Sequence, residues 1–431
     1  LGEGGAFCFI TSNAWLDVNY GYELQKFFLK HFKIVAILES RCEPWFTEAS
    51  VNTIVTIIER CDDPKERDNH LAKFVKVKKP LAELIPGDPV VDAVPRLTRL
   101  RDLVAQVEQA GRKYGKTHPL GMVTEEDDNF RIRILRQSEM LAEVEREEKT
   151  VKWGRYLRAP QVYFDVLEHG KMCRLGDMAV PLRGGMTRIN EFFYVTPDTV
   201  REHGIEDEYL LPLIKSPKDT ATIRVDLSEL DLRVFVCRRS KAELKRLGHR
   251  GALRYIEWGE DQTWKDGSLW KDGVWVKDRK PGWWALPPSE THLAQVFLSK
   301  GADQRHIHRF SPESLIADQR LYYLNPAEGM SPSLLAAVLN ASITALGVEL
   351  TVPLTAGDGV CELRVEDARE YLPVPDVRVS TKAVRGRVER LLEPLLERAI
   401  EAVPVELKKA DRQAFDAAIL KAVGLDPKKY L

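Results

Sequence analysis

The segment that most constrains this chain is Gly4-Gly5-Ala6-Phe7-Cys8-Phe9-Ile10-Thr11-Ser12-Asn13-Ala14-Trp15-Leu16. Two glycines make a turn, five apolar residues follow without alternation, and polar residues take over at Thr11. A short apolar run without a period of two reads as a parallel strand buried on both faces. In open α/β sheets ligands sit beyond the carboxyl ends of such strands, so Thr11, Ser12 and Asn13 are expected to line a site, with Trp15 close by. Gly2-Glu3-Gly4-Gly5 is not read as a dinucleotide loop. Such a loop follows its strand and opens a helix, whereas these glycines precede the strand. A doubly wound domain has earlier strands, so the segment is expected to be the back portion of a larger enzyme.

Leu24, Phe27, Phe28 and Phe32 fall at helical spacing, which predicts an amphipathic helix from Asn19 to Phe32. Ile34-Val35-Ala36-Ile37-Leu38 is a second buried strand, ending at Glu39 and Ser40. Val51 to Ile58 is a third, too rich in β-branched residues for a helix. The polar loop between the last two is too short for a helical crossover, so they are expected to pair as an antiparallel hairpin.

The run G-G-x-F-x-F-I-T-S-N-x-W-L, a helix, I-V-A-I-L-E-S and then W-F-T-E-A-S-V-N-T-I-V-T-I-I-E resembles the region after the catalytic motif of gamma-class N6-adenine DNA methyltransferases. The likeness is to the fused type IIG restriction–modification family and its methylase relatives. It implies the final strands of a Rossmann-like methyltransferase sheet. It also implies S-adenosylmethionine as cofactor, bound mainly by a part upstream of Leu1, since neither the donor loop nor an Asn-Pro-Pro-Tyr loop occurs in the 431 residues. In the family an aromatic residue at the place of Phe46 packs on the flipped adenine, which needs new stacking surfaces once it leaves the duplex. Phe46, with Asn13 and Trp15, is therefore the expected base pocket. From the residues alone, Trp45 and Phe46 read preferably as core plugs under the hairpin, and the surrounding pattern brings the two readings level.

Net charge is -1, from 64 basic and 65 acidic residues, so any nucleic-acid face must arise from local segregation. The six cysteines are scattered without a C-x-x-C pair, which points to a cytoplasmic, reducing setting and away from a zinc ribbon. No apolar run approaches the roughly 20 residues that span a bilayer, so no membrane partner is expected.

Leu71 to Lys78 reads as an edge strand, with Phe74 facing in and lysines out. Leu97, Leu100, Val104 and Val107 mark a helix that stops at Gly111. Lys113 to Asp128 is turn-rich. Phe130, Ile132 and Ile134 alternate with Arg131 and Arg133 as a half-buried strand. Glu139 to Lys152 is a charged helix with a solvated face, and a domain boundary is placed near Lys152. Pro160 opens a short helix that ends at Gly170.

Leu175 to Thr187, followed by Asn190 to Val195, reads as strand, glycine turn and strand. It resembles the opening of target-recognition domains in type I specificity subunits and type IIG enzymes. Arg188-Ile189 departs from that pattern, standing where a small residue and glycine are common. Glycines admit backbone N–H groups close to phosphates and arginines add charge. Arg183, Gly184, Gly185, Arg188, Lys215, Lys218, Arg238 and Arg239 are the candidate DNA-binding residues. The basic run from Arg238 to Arg254 fits a phosphate-tracking face or a plain solvated helix. Six of the nine tryptophans fall between Trp258 and Trp284, fitting either base-stacking aromatics or, preferably, the core of a loop-rich subdomain. His306 and His308 share one strand face, near His292 and Asp318, but arginines flank them and no metal is expected.

The helix through Leu334 to Ser342 resembles one that packs the recognition sheet in the same domains, with Gly357-Asp358-Gly359 as a later turn. Val384, Val388, Leu391, Leu392, Leu395 and Ala399 form a stripe kinked at Pro394, and a second helix runs from about Asp411 to Gly424. The expected layout is α/β and α+β: residues 1–80 close a methyltransferase catalytic domain, 81–152 form a helical spacer, 153–376 a mixed α/β target-recognition domain and 377–431 a C-terminal helical hairpin. The resemblance implies a cytoplasmic enzyme on double-stranded DNA, with other restriction–modification or phage-defence subunits as further partners. It implies that this chain alone is inactive. The rival readings are a DNA-binding specificity subunit without its own catalysis and a protein-interaction scaffold.

Overall fold

Period-two burial along Phe32–Ser40 (β2), Thr53–Arg60 (β3) and Leu71–Val77 (β4) makes them strands with helices to pack against. They belong to one sheet with Ala6–Ser12 (β1), Met122–Glu126 (β5) and Phe130–Arg136 (β6). The computed structural model describes residues 1–46, 52–112, 121–302, 304–352 and 361–430. These form two compact units, Leu1–His169 with Val348–Cys361, and Gly170–Gly347 with Glu362–Leu431. Residues 47–51, part of the run around Phe46, and the turn at 357–359 lie outside the described residues, as does the first half, 113–120, of the expected turn-rich segment.

The sheet of the first unit has the order β1-β3-β2-β4-β6-β5. Only β2 and β4 run parallel; β3 is antiparallel to both β1 and β2. On one face Phe74, Trp153, Tyr156 and Phe164 pack ring to ring. On the other, Val75, Ile132 and Ile134 meet Leu103 and Ala110, the first from the helix Ala93–Gln109 and the second just beyond it.

Four expectations for this unit need correction. β1 is not a parallel strand buried on both sides. It is an antiparallel edge strand with one neighbour among the described residues, and Phe7, Phe9 and Ile10 are 42, 54 and 44% exposed. β4 is not an edge strand but sits between β2 and β6. Arg133 does not face water: it is fully buried, donates to the Tyr156 and Ala159 carbonyls and lies over the Phe164 ring. Burial holds its guanidinium down to about 9. Finally, the stripe Leu97, Leu100 and Val104 is exposed, and it is the Leu103 side of the helix that is buried.

The second unit is built on a seven-stranded sheet. After Met172–Arg174 (β7), which pairs with Pro373–Pro375, come Ala179–Arg183 (β8), Tyr194–Val195 (β9), Leu210–Ile214 (β10) and Arg233–Phe235 (β11). Ala294–Ser299 (β12), Gly301–Ala302 (β13), Arg309–Ala317 (β14) and Leu321–Pro326 (β15) follow. The order is β8-β15-β12-β14-β10-β11-β9. The expected glycine hairpin does not exist, because β8 and β9 are opposite edges of this sheet. Asn190–Phe193 is helical instead, since Ile189, Phe192 and Phe193 are all drawn into an aromatic core. That core holds Phe235, Tyr255, Trp270, Trp283 and Trp284, so three of the tryptophans are structural. The helix Pro332–Leu339, capped by the Ser331 hydroxyl, is buried against β12, β14 and β15. The helices Lys382–Leu396, with Pro394 inside it, and Ala410–Ala422 pack on each other.

Candidate nucleic-acid interface

In the first unit the ends of β1 and β2 meet in a buried polar cluster. Glu39, the penultimate residue of β2, takes ion pairs from Lys76 at 2.7 Å and Arg158 at 3.0 Å. Arg158 turns its other nitrogen to Asp17 at 2.7 Å. Asp17 also accepts from the Gly154 N–H, and its carbonyl from Lys152. Asn13 donates to Glu39 at 3.2 Å. Burial alone would raise the Glu39 carboxyl, but the charges of Arg158 and Lys76 outweigh it and hold it at about 2. The same two carboxylates raise the Arg158 guanidinium against its burial.

This places the three expected pocket residues differently. Phe46 is 49% exposed. Trp15 is in the core, edge-on to Phe28 and Trp153. Asn13 is buried on Glu39, and Ser12 caps the turn that follows β1. Ser12 and the Asn13 amide nitrogen are thus bonded within the chain, whereas the Thr11 hydroxyl and the Asn13 side-chain oxygen are buried without a hydrogen-bond partner among the described residues. With Glu39, Arg158 and Asp17 paired across the strand ends, the cluster does not fit a resident methyl donor.

In the second unit the loop after β8 runs along the end of the sheet. The Gly184 N–H donates to the Leu321 carbonyl, and the Gly185 N–H donates to the Ala317 carbonyl and the Tyr323 hydroxyl. These N–H groups are used within the chain and do not face a phosphate. A methyl group on Gly184 would lie 2.1 Å from the Asp318 carbonyl oxygen, and one on Gly185 2.6 Å from that of Glu290. The glycines are there for close packing. Met186 N–H donates to Glu290, and Tyr194 donates its hydroxyl to buried Asp318 at 2.7 Å. Burial, reinforced by Asp318, raises the Tyr194 phenol, so it stays a donor.

Arg183, Arg188, Lys215 and Arg238 lie on or beside this frame. Arg183, at the end of β8, and Arg188, on the loop, are exposed, with Glu366 3.8 Å from Arg183. Lys215, just after β10, lies over the Tyr194 ring. Arg238 bonds the Leu286 carbonyl and Thr291, one residue from Glu290. Lys218 is exposed in the turn beyond Lys215, and Arg239 stands at 3.6 Å from Glu208. Arg320, exposed in the turn from Asp318 to Leu321, was missed in sequence because nothing local distinguishes it. His308 is buried and accepts from the Ser299 N–H, with burial pushing it down to about 3. Among the described residues there is no metal-binding group, and no single helix is long and apolar enough to cross a membrane.

The sequence profile of the family described as type II methyltransferase M.Eco57I, C-terminal domain, matches residues 150–406. The chain belongs to this family. This M.Eco57I-type C-terminal domain takes in the whole loop cluster around Asp318. Solved structures similar to the chain include the type IIG restriction endonuclease BpuSI, at 13% identity and a TM-score of 0.45, covering 100% of this chain and 48% of that one. Another is the type IIL restriction–modification enzyme MmeI in complex with DNA, at 11% identity and 0.45, covering 98% and 47%. The chain spans about half the length of these structures. No curated protein matches it.

Proposed function

We propose that this chain is the C-terminal, target-recognising part of a cytoplasmic DNA adenine-N6 methyltransferase of a restriction–modification or related defence system. The observation that carries the reading is the family match over residues 150–406, which includes the basic frame built on Asp318. On this reading Arg183, Arg188, Lys215, Lys218, Arg238, Arg239 and Arg320 face the duplex. Phosphate contacts set position and base-edge contacts set sequence. Gly184 and Gly185 hold the loop against the sheet.

The catalytic strands and the S-adenosylmethionine site belong, on the same reading, to a part upstream of Leu1. β1 supports this: it is apolar on both faces and, among the described residues, has a strand on one side alone, as a strand that continues into a larger sheet would. Phe46 stacks on the flipped adenine. Asn13 and Trp15 serve by fixing the strand end from within.

Gel-shift titration of the chain on duplex DNA at several salt concentrations tests the reading. Affinity should fall steeply with salt, and Arg183→Ala and Lys215→Ala should each weaken binding and flatten the slope by about one. Salt-independent retention, or retention unmoved by both changes, refutes it. Methyl transfer by residues 1–431 alone would place the donor site inside this chain and overturn the division proposed here.

A further inference from the structure

Arg188 has a φ of +73°, in the left-handed region that favours glycine. A long side chain held there costs conformational energy, so something about that side chain is being kept. Its guanidinium lies 4.7 Å from the ring centre of Trp275, which is 69% exposed beside Val274 at 74%. Trp275 is more exposed than Trp258, at 37%, while the aromatic core of this unit encloses Trp270, Trp283 and Trp284.

The pair is braced from both sides. Trp275 rides on a turn closed by N–H donation from Val276 and Lys277 to the Gly273 carbonyl, with Val276 anchored in the aromatic core. Arg279, at the end of that turn, donates to the Thr187 carbonyl and lies over the Phe193 ring. Thr187 in turn bonds Asn190. The two loops are therefore tied together one residue before Arg188. Among the described residues the Arg188 guanidinium makes no hydrogen bond or ion pair. An indole under a guanidinium fixes the plane of its donor fork while leaving the edge open. That geometry fits the paired O6 and N7 acceptors of guanine in the major groove.

We propose that Arg188, stacked on Trp275, reads one guanine of the DNA target and is a specificity-determining residue of the chain. This rests on the target-recognition reading above. The test incubates the full chain with 30-base-pair duplexes carrying a randomised centre, recovers the bound fraction and sequences it. Wild type, Arg188→Gly, Arg188→Lys and Trp275→Ala are compared, with thermal melts of each.

Arg188→Gly should melt no lower than wild type, because glycine takes this backbone freely. Its selectivity loss should concentrate at one guanine, roughly tenfold or more there beyond any general weakening. Arg188→Lys should lose the same preference, having charge but no fork, and Trp275→Ala should blunt it. An unchanged sequence profile for Arg188→Gly overturns the inference while leaving target recognition standing. Uniform weakening that Arg188→Lys restores also overturns it, because that describes a phosphate contact. Wild type that retains no duplex, or retains all sequences alike, overturns the reading beneath and this inference with it.

Discussion

Changing Glu39 to glutamine removes the charge at the centre of the buried cluster without changing its shape. Its carboxyl is held at about 2 against an ordinary 4.5. At about 1.4 kcal/mol per pH unit, that depression corresponds to roughly 3 kcal/mol of native-state stability at neutral pH. Breaking one partner out of a buried ion pair costs about 3–5 kcal/mol, a consistent figure. The sign follows from the direction. A carboxyl depressed in the folded state stabilises fully above its unfolded value and loses that contribution as pH falls through 4.5 towards 2. Wild type should therefore exceed Glu39→Gln by roughly 3 kcal/mol at pH 7, and the gap should shrink by about 1–1.5 kcal/mol by pH 3.5. Urea unfolding followed by amide exchange on peptides covering β2 and Gly154–Arg158 reports this unit separately from the other. A gap under about 1 kcal/mol at pH 7, or one that stays constant down to pH 3.5, refutes the assignment of Glu39 as a paired, charged group.

The frame of the second unit gives further expectations. Gly184→Ala drives a methyl group to 2.1 Å from the Asp318 carbonyl oxygen and should cost about 2–3 kcal/mol, read as a lowered melting temperature. Tyr194→Phe removes the hydroxyl that satisfies buried Asp318 and should cost roughly 2 kcal/mol by urea titration; an unchanged midpoint would mean that Asp318 finds another donor.

How far these features could be read from sequence varies with how local their cause is. The helix at Pro332–Leu339 and the tail helices were legible because apolar spacing and a Ser-Pro start are local signals. The preference for a tryptophan core also held for Trp270, Trp283 and Trp284, since so many large rings in one window must bury most of their area. β1 misled because an apolar run without alternation says that both faces are apolar, not that both are covered. Arg133 misled because a strand arginine looks solvated until two backbone carbonyls and a phenylalanine ring turn out to await it. The glycine hairpin misled because a turn with strands on either side says nothing about which strands pair. Lys215, Arg183 and Arg320 were each visible or unremarkable as single residues. What gathers them is the order β8-β15-β12-β14-β10, in which Arg183 pairs with Tyr322 and Leu213 with Ile316, partners more than a hundred residues apart, and no local pattern encodes that.

The open side of β1 carries a practical consequence. From Ala6 to Ser12 there is neither a charge nor a proline, the usual guards against edge-to-edge joining, and Phe7 and Phe9 flank the exposed backbone. Copies of the chain produced alone are expected to zip together through this strand and come out of solution as concentration rises. A charge placed on this strand, as in Phe9→Lys, should keep such a preparation dispersed.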